Sequence, residues 1–519
     1  MVKKSITFIF LFLFSCSSNT DKSFEMLEEA FSNWYAKNHY YNIKFLNSTQ
    51  PYNIHLFNKN QLNEYYADLN RFSLELTQID VVKLSYENHV KFNVINDVIE
   101  NLSFKYENLP YGDIFVYKAY FQLFNTLESQ EMKMHEKIDI IFENIKEIKS
   151  NIESIIKFKN VFIYNKLNFD KNFTILLNYI NNIPIRVNAE PKILDNLEAE
   201  IKTLKKDLIN FKKIKINNDY KILIKSFAKY NHFKSNISNT IDLKSYYKEI
   251  QNKLFTQSYN IYIKENDEPI WVDEKDTLDV IRWVVDNKLN NNQKNKSNLI
   301  QSYYENLYKI DDYLAKNKIN IFKNDVLPSI LTKDNDHHLF SNVYYINNTF
   351  YLDENIFVYN NNYGISKSII NDFYKEYFTN LTTNKSDKLY QLNYDKSYQT
   401  ALSLLIQNIL LDLNYHNNDS LYNVNMYLDI LQIITCAINQ QNLFEKNMSK
   451  NEIIENLKKH GFFNDSIIEE KFSQIFYLSE FYIKTVLFVR NILNKYQESN
   501  YNFYNELQFE NPKPYYLIK

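Results

Sequence analysis

The chain has 519 residues, 60 basic against 62 acidic side chains for a net charge of −2, two cysteines and three glycines. So even a charge balance leaves no electrostatic footprint for nucleic acid, and Gly112, Gly364 and Gly461 cannot build the glycine-rich cradle of phosphate-binding loops. The same scarcity argues against an all-β fold with many tight turns, while the excess of Asn, Lys, Ile, Tyr and Phe follows AT-rich codons and reads as genomic bias, not as stacking platforms for bases or sugars.

The first predicted element is a signal. Lys3 and Lys4 form a basic start, and Ile6 to Phe14 is an apolar run. That run is too short to span a bilayer, which takes roughly 20 residues, and it reads as the core of a signal peptide. Leu13-Phe14-Ser15-Cys16 resembles a bacterial lipobox. The resemblance implies a diacylglycerol on the thiol of Cys16 and cleavage before it. The bland alternative is a plain secretory signal with an incidental cysteine. Residues 1–15 are therefore expected to be a lipoprotein signal peptide, 16–23 a lipidated tether, and 24–519 one helical domain. The implied partner is a membrane, met through lipid on Cys16 with no transmembrane helix, because two or more acyl chains anchor stably. Ser17, Ser18 and Asn19 do not resemble the Asp-type inner-membrane retention signal, which favours the outer membrane of a bacterial envelope. Cys436 is left without a partner, so the exported chain folds without an internal disulfide.

Helical periodicity begins at Phe24, with Leu27, Ala30 and Phe31. It returns in Leu62 to Leu76, in Phe92 to Phe104 and, past Pro110 and Gly112, in Ile114 to Leu127. A long helix is predicted from Met132 to about Lys159, striped by Ile138, Ile141, Ile145, Ile148, Ile152 and Ile156. A second, from about Lys192 to Phe211, carries Ile193, Leu197, Ile201, Leu204 and Leu208. Together they suggest a helical hairpin, three heptads being too few to insist on a coiled coil. Leu243 to Tyr262, Thr277 to Lys288 and Ser297 to Lys316 continue the theme. Then Val343-Tyr-Tyr-Ile346 and Thr349-Phe-Tyr-Leu352 flank Asn347-Asn348, the signature of a small hairpin. Helices are expected again over Ser366–Phe378, Tyr394–Leu413, Leu421–Leu443, Ser449–Lys459 and Ser466–Tyr496. Ser449 with Glu452 forms a capping box, and Gly461 after Lys459 and His460 is a helix stop. The fold class is mainly α with a small β-hairpin or sheet.

The residues that carry chemistry are sparse. His135-Glu136-Lys-Ile-Asp139 is the nearest approach to a zinc motif, but it lies on the solvated face of the long helix. His337-His338 falls in a loop, where neighbouring side chains of an extended segment diverge. There is no G-x-S-x-G elbow, and Cys436 sits in an apolar helix, where a thiol is most often an inert core residue.

The order of features resembles the bacterial domain of unknown function 885 family: large helical, zincin-like proteins, often lipoproteins, with a zinc peptidase site. Leu109-Pro-Tyr-Gly-Asp-Ile-Phe-Val-Tyr-Lys118 is similar to its Pro- and Tyr-bearing segment. Asp429 to Leu493 resembles its last helices, with Met448-Ser449-Lys-Asn-Glu452 at a helix start and Val489-Arg490 in the closing helix. The family's H-E-x-x-P-G-H aligns on Asn371 to Tyr377, and its E-G-W-A-x-Y-x-E on Thr400 to Gln407. A further D-x-x-L-H aligns on Gln440 to Phe444. The resemblance thus implies a single large zincin-like domain whose former metal-site positions are Asn371, Asp372, Tyr377 and Thr400. Zinc needs His, Cys or carboxylate ligands, and hydrolysis needs a base to activate its water. With these residues no metal, no cofactor and no catalytic residue is expected. What remains is a non-catalytic envelope protein whose old cleft binds peptide or protein. An active hydrolase with an atypical site and a purely structural lipoprotein are the alternatives.

Overall fold

The computed structural model describes residues 20–36, 38, 59–108, 116, 119–120, 123, 126–127, 132–157, 166–213, 242–266, 274–289, 299–322, 327–332, 343–346, 348–352, 362–378, 389, 396–416, 419–446, 448–477 and 481–499. The signal and Cys16, the segment Leu109–Lys118 apart from its residue 116, and His337-His338 lie outside them. Among the described residues helix dominates, with one small sheet, as the glycine count and the periodicities led one to expect. Two compact units divide the chain: Met1–Tyr220 with Lys385–Tyr394, and Lys221–Asn384 with Asp395–Lys519.

In the first unit, α1 (20–36), α2 (Lys59–Thr77) and α3 (Tyr86–Asn108) join through aromatic faces. Phe31 meets Phe72 edge-on at 5.4 Å, Trp34 lies 4.9 Å from Tyr65, and Phe24 lies 6.2 Å from Phe92. Trp34 Nε1 donates to Asp68 Oδ2 at 3.1 Å, so the indole is buried without orphaning its one donor. The isoleucine stripe does what its spacing predicts. In α4 (Met134–Lys157) Ile138, Ile141, Ile145, Ile148 and Ile152 are buried, and they face the buried Leu197, Ile201, Leu204 and Leu208 of α6 (Pro191–Lys212). Each such side chain contributes roughly 1.5–3 kcal/mol on burial. Between the two in sequence stands α5 (Lys166–Arg186), which also packs on α6, so the expected hairpin is a three-helix arrangement. The periodicity of α5 is blurred by Asn and by Pro184 in its last turn.

In the second unit, α12 (Ser420–Lys446) is the axis. α7 (Leu243–Asn266) lies along it, as do α13 (Lys450–Gly461), α14 (Asp465–Tyr477) and α15 (Phe481–Ser499). α11 (Lys396–Asp412) packs on α15, and α8 (Glu274–Val284) on α7. The stretch Ser420–Leu443 is apolar and long enough to cross a membrane, but most of it is buried as a core helix. The capping box forms as expected: Glu452 N donates to Ser449 Oγ at 3.4 Å and Ser449 N to Glu452 Oε2 at 2.7 Å. The helix stop differs in detail. The left-handed residue is Phe462, at φ 54°, and Gly461 is the last helical residue. Glycine is needed at 461 for space, since a Cβ there would meet the Phe463 ring at 2.7 Å.

One predicted helix, Ser466–Tyr496, is two: α14 ends at Tyr477 and α15 begins at Phe481. A broken helix leaves carbonyls and amides without partners. Gln440, wholly buried on α12, supplies them. Its Nε2 donates to Ile475 O at 2.9 Å, and its Oε1 accepts from Tyr482 N at 3.2 Å and Ile483 N at 3.3 Å.

The hairpin is present as β2 (Val343–Ile346) against β3 (Thr349–Leu352), antiparallel. Asn348 in its turn takes φ 56°, a left-handed conformation that Asn tolerates. The hairpin carries a third strand that the sequence did not announce. β1 (Ser329–Thr332) adds in parallel to β3, giving the order β1-β3-β2. Val343, Tyr345, Phe350 and Leu352 are buried, and β1 leans on α9 (Leu299–Lys316).

Candidate functional site

The sheet covers a helix that changes register. α10 (Asn362–Ser368) widens into a π-helical turn, Ile369–Tyr374, and returns to α-helix up to 378. Single π turns recur at functional sites. Ile369, Ile370, Phe373 and Tyr374 are buried, with Phe373 stacked on Tyr303 at 5.5 Å and set 4.5 Å from Phe350 of β3. Asn371 and Asp372 keep some exposure on the remaining flank.

That flank meets the one charged residue in the apolar part of α12. Asp429 is nearly buried and uses both carboxylate oxygens: Oδ2 accepts from Asn371 Nδ2 at 2.6 Å, and Oδ1 pairs with Lys367 Nζ at 2.7 Å. Burying an ion pair carries a desolvation cost, which close geometry and the extra amide hydrogen bond offset. Ser368 Oγ donates to Asp372 Oδ2 at 2.8 Å. Burial pushes the Asp372 carboxyl above the usual carboxylate range, the Ser368 hydroxyl and Lys375 oppose that shift, and Glu376 and Asp429 add to it.

The four positions that the family resemblance would make a former metal site are distributed as follows. Asn371 and Asp372 share the π turn around Asp429. Thr400 lies on α11, which packs on that turn, and its carbonyl accepts from Ser403 Oγ at 2.8 Å. Tyr377 is buried in an aromatic cluster, 4.8 Å from Phe322 and 5.3 Å from Tyr345. On the same helix as Thr400, Gln407 Nε2 donates to Met426 O of α12 at 2.7 Å.

Comparison with known proteins reaches only the fold. No family model matches the chain, and no curated protein does. Solved structures do. A "putative lipoprotein of unknown function" from Shewanella oneidensis superposes with a TM-score of 0.66 at 11% identity, over 95% of this chain and 98% of the other. A "putative lipoprotein" from Colwellia psychrerythraea gives 0.57 at 9% identity, over 96% and 98%. At such identities the likeness is one of fold.

Lys367, Ser368 and Asp429 were missed in the sequence. The available signal was Asp429 itself, a lone charge between Leu428 and Ile430, since such a charge needs a partner. Among the described residues no three His, Cys, Asp or Glu side chains gather as metal ligands. Glu136, from the nearest approach to a zinc motif, instead caps its helix, accepting from Lys133 N at 3.1 Å. Cys436 is buried and its thiol is pushed up to about 12 by that burial, which suits an inert core residue. The arrangement around the π turn can bind one helix to another and hold one proton more tightly than usual.

Proposed function

We propose that this chain is a lipid-anchored protein of the bacterial envelope, held through Cys16 on the outer membrane, with a helical body that binds peptide or protein without catalysis. The order Lys3-Lys4, apolar run, Ser15-Cys16 supports the anchor, and so does the fold shared with the "putative lipoprotein" structures from Shewanella oneidensis and Colwellia psychrerythraea. We read the body as a non-catalytic relative of the domain of unknown function 885 proteins. The observation that carries the non-catalytic reading is the commitment of Asn371 to the Lys367–Asp429 pair. An amide that holds a buried carboxylate is not available to a metal, and a buried Tyr377 ring is no substitute for an imidazole. Two measurements test this. Radiolabelled palmitate should enter the wild type and not Cys16→Ala, and equal labelling of both ends the anchor claim. Elemental analysis of native protein should find no stoichiometric zinc; one zinc per chain overturns the loss of catalysis.

A further inference from the structure

The tether is short, and the structure shows which end of the first unit it reaches. α1 and α2 run antiparallel, because Phe31 meets Phe72 while Trp34, a turn later, meets the earlier Tyr65. The start of α1 therefore lies at the end of α2, beside the link to α3. Asp21 fixes that contact: its Oδ1 accepts from Ser85 N at 3.0 Å and from Asn88 Nδ2 at 2.8 Å. Cys16 is five residues before Asp21, so its Cα can stand no further than about 18 Å from that of Asp21, at ~3.3–3.6 Å per extended residue.

At the tip two apolar side chains stand in solvent among polar neighbours, Thr77, Gln78, Ser85 and Glu87 being exposed beside them. Val82, in the 3₁₀ turn Val81–Lys83, is 94% exposed, and Tyr86, at the start of α3, is 63% exposed. Ile79, Val81 and Leu84 around them are half-buried. Lys83 and Asp80 pair at 2.8 Å, both exposed.

We infer that this tip, Val82 and Tyr86 foremost, is a membrane-contacting surface that seats on the bilayer holding the Cys16 lipid and fixes the orientation of the first unit. The inference rests on the lipid anchor proposed above. Tyrosine favours the membrane–water interface, where its ring is buried and its hydroxyl stays wet. Val82 gains by leaving water, and the carboxylates at the tip are offset by neighbouring lysines, Asp80 by Lys83 at 2.8 Å and the exposed Glu87 by Lys91 at 3.8 Å. The short tether raises the local concentration of lipid at this surface, so a small apolar contact suffices.

Cys436 is buried and Cys16 would be blocked by its lipid, so Val82→Cys adds the single reactive thiol. A nitroxide there, on lipidated protein in phosphatidylethanolamine–phosphatidylglycerol vesicles, is compared with one at Glu64→Cys. Glu64 is exposed on α2, about 20 Å along the axis from Thr77 at 1.5 Å per residue. With the protein floating with its vesicles, collisions with a water-soluble nickel complex should fall several-fold at position 82 and stay high at 64. Equal nickel access at both positions, with flotation intact, overturns the seated tip and leaves the anchor standing. Protein that fails to float overturns both. Protection at 82 that persists in Cys16→Ala protein without vesicles assigns the tip to a protein partner and overturns the membrane reading.

Discussion

Single side chains carry much of the specificity here. Gln440 is the clearest. Gln440→Leu keeps its bulk but orphans the Ile475 carbonyl and the Tyr482 and Ile483 amides. At ~1–3 kcal/mol for each stranded group, a loss of about 3 kcal/mol or more is expected, read as a lower urea midpoint. Asp372 acts through pH. Its folded-state pKa lies above the ordinary value of 3.8, so the native state binds the proton more tightly than the unfolded chain. Stability from this group therefore falls as pH rises from the ordinary value through the raised one, and stays low above it. Asp372→Asn should accordingly melt higher than wild type at pH 7, with the gap closing below about pH 4 as both states take up the proton. A gap that is flat with pH would sink the assignment. Cys436 should ignore maleimide in folded Cys16→Ala protein and react once urea unfolds it, because burial keeps the thiol protonated. The inertness of Cys436 was legible in its apolar neighbours. The clasp of Gln440 was not, because its partners lie 35 and more residues away and are backbone atoms of any residue type.

At the scale of elements, periodicity did well wherever one face alone is buried. The stripe Ile138 to Ile152 and the Ser449 box needed only local rules. Periodicity failed where the chain is held from outside. The break between α14 and α15 is stabilised by a third helix, so their own sequence continues to look helical across it. The π turn at Ile369–Tyr374 escaped for a related reason: its buried pairs, Ile369-Ile370 and Phe373-Tyr374, fit an ordinary helix equally well. β1 is only four residues long and pairs across more than a dozen residues of sequence, beyond the reach of a turn signal. The end of α13 offers a test. Gly461→Ala places a methyl against the buried Phe463 ring, which must shift to admit it, and overpacking of this kind costs about 1–3 kcal/mol. Thermal melts should show the loss, and Gly461→Ala combined with Phe463→Leu should recover part of it.

At the scale of the whole molecule, the helical class followed from composition: three glycines leave few tight turns, and the aliphatic stripes demand helices. The division into two compact units was not visible, since no linker rich in Pro, Gly or Ser separates them. Around the π turn, the resemblance in feature order singled out Asn371 and Asp372 as expectations, but the lysine and the core aspartate that meet that flank belong to no local pattern.

Asp429 has a second consequence, before the protein is folded at all. Residues Ser420–Leu443 form a stretch that a translocon could mistake for a membrane span, and Asp429 is its only charge, set near the middle. An aspartate at the centre of such a stretch disfavours lateral release into lipid by roughly 2.5–3.5 kcal/mol. For a chain exported as proposed, that penalty keeps the segment moving through the channel until Lys367 and Asn371 can take over the charge. Asp429→Leu should therefore trap a fraction of chains across the inner membrane, visible as a protease-protected amino-terminal fragment, while wild type passes through intact.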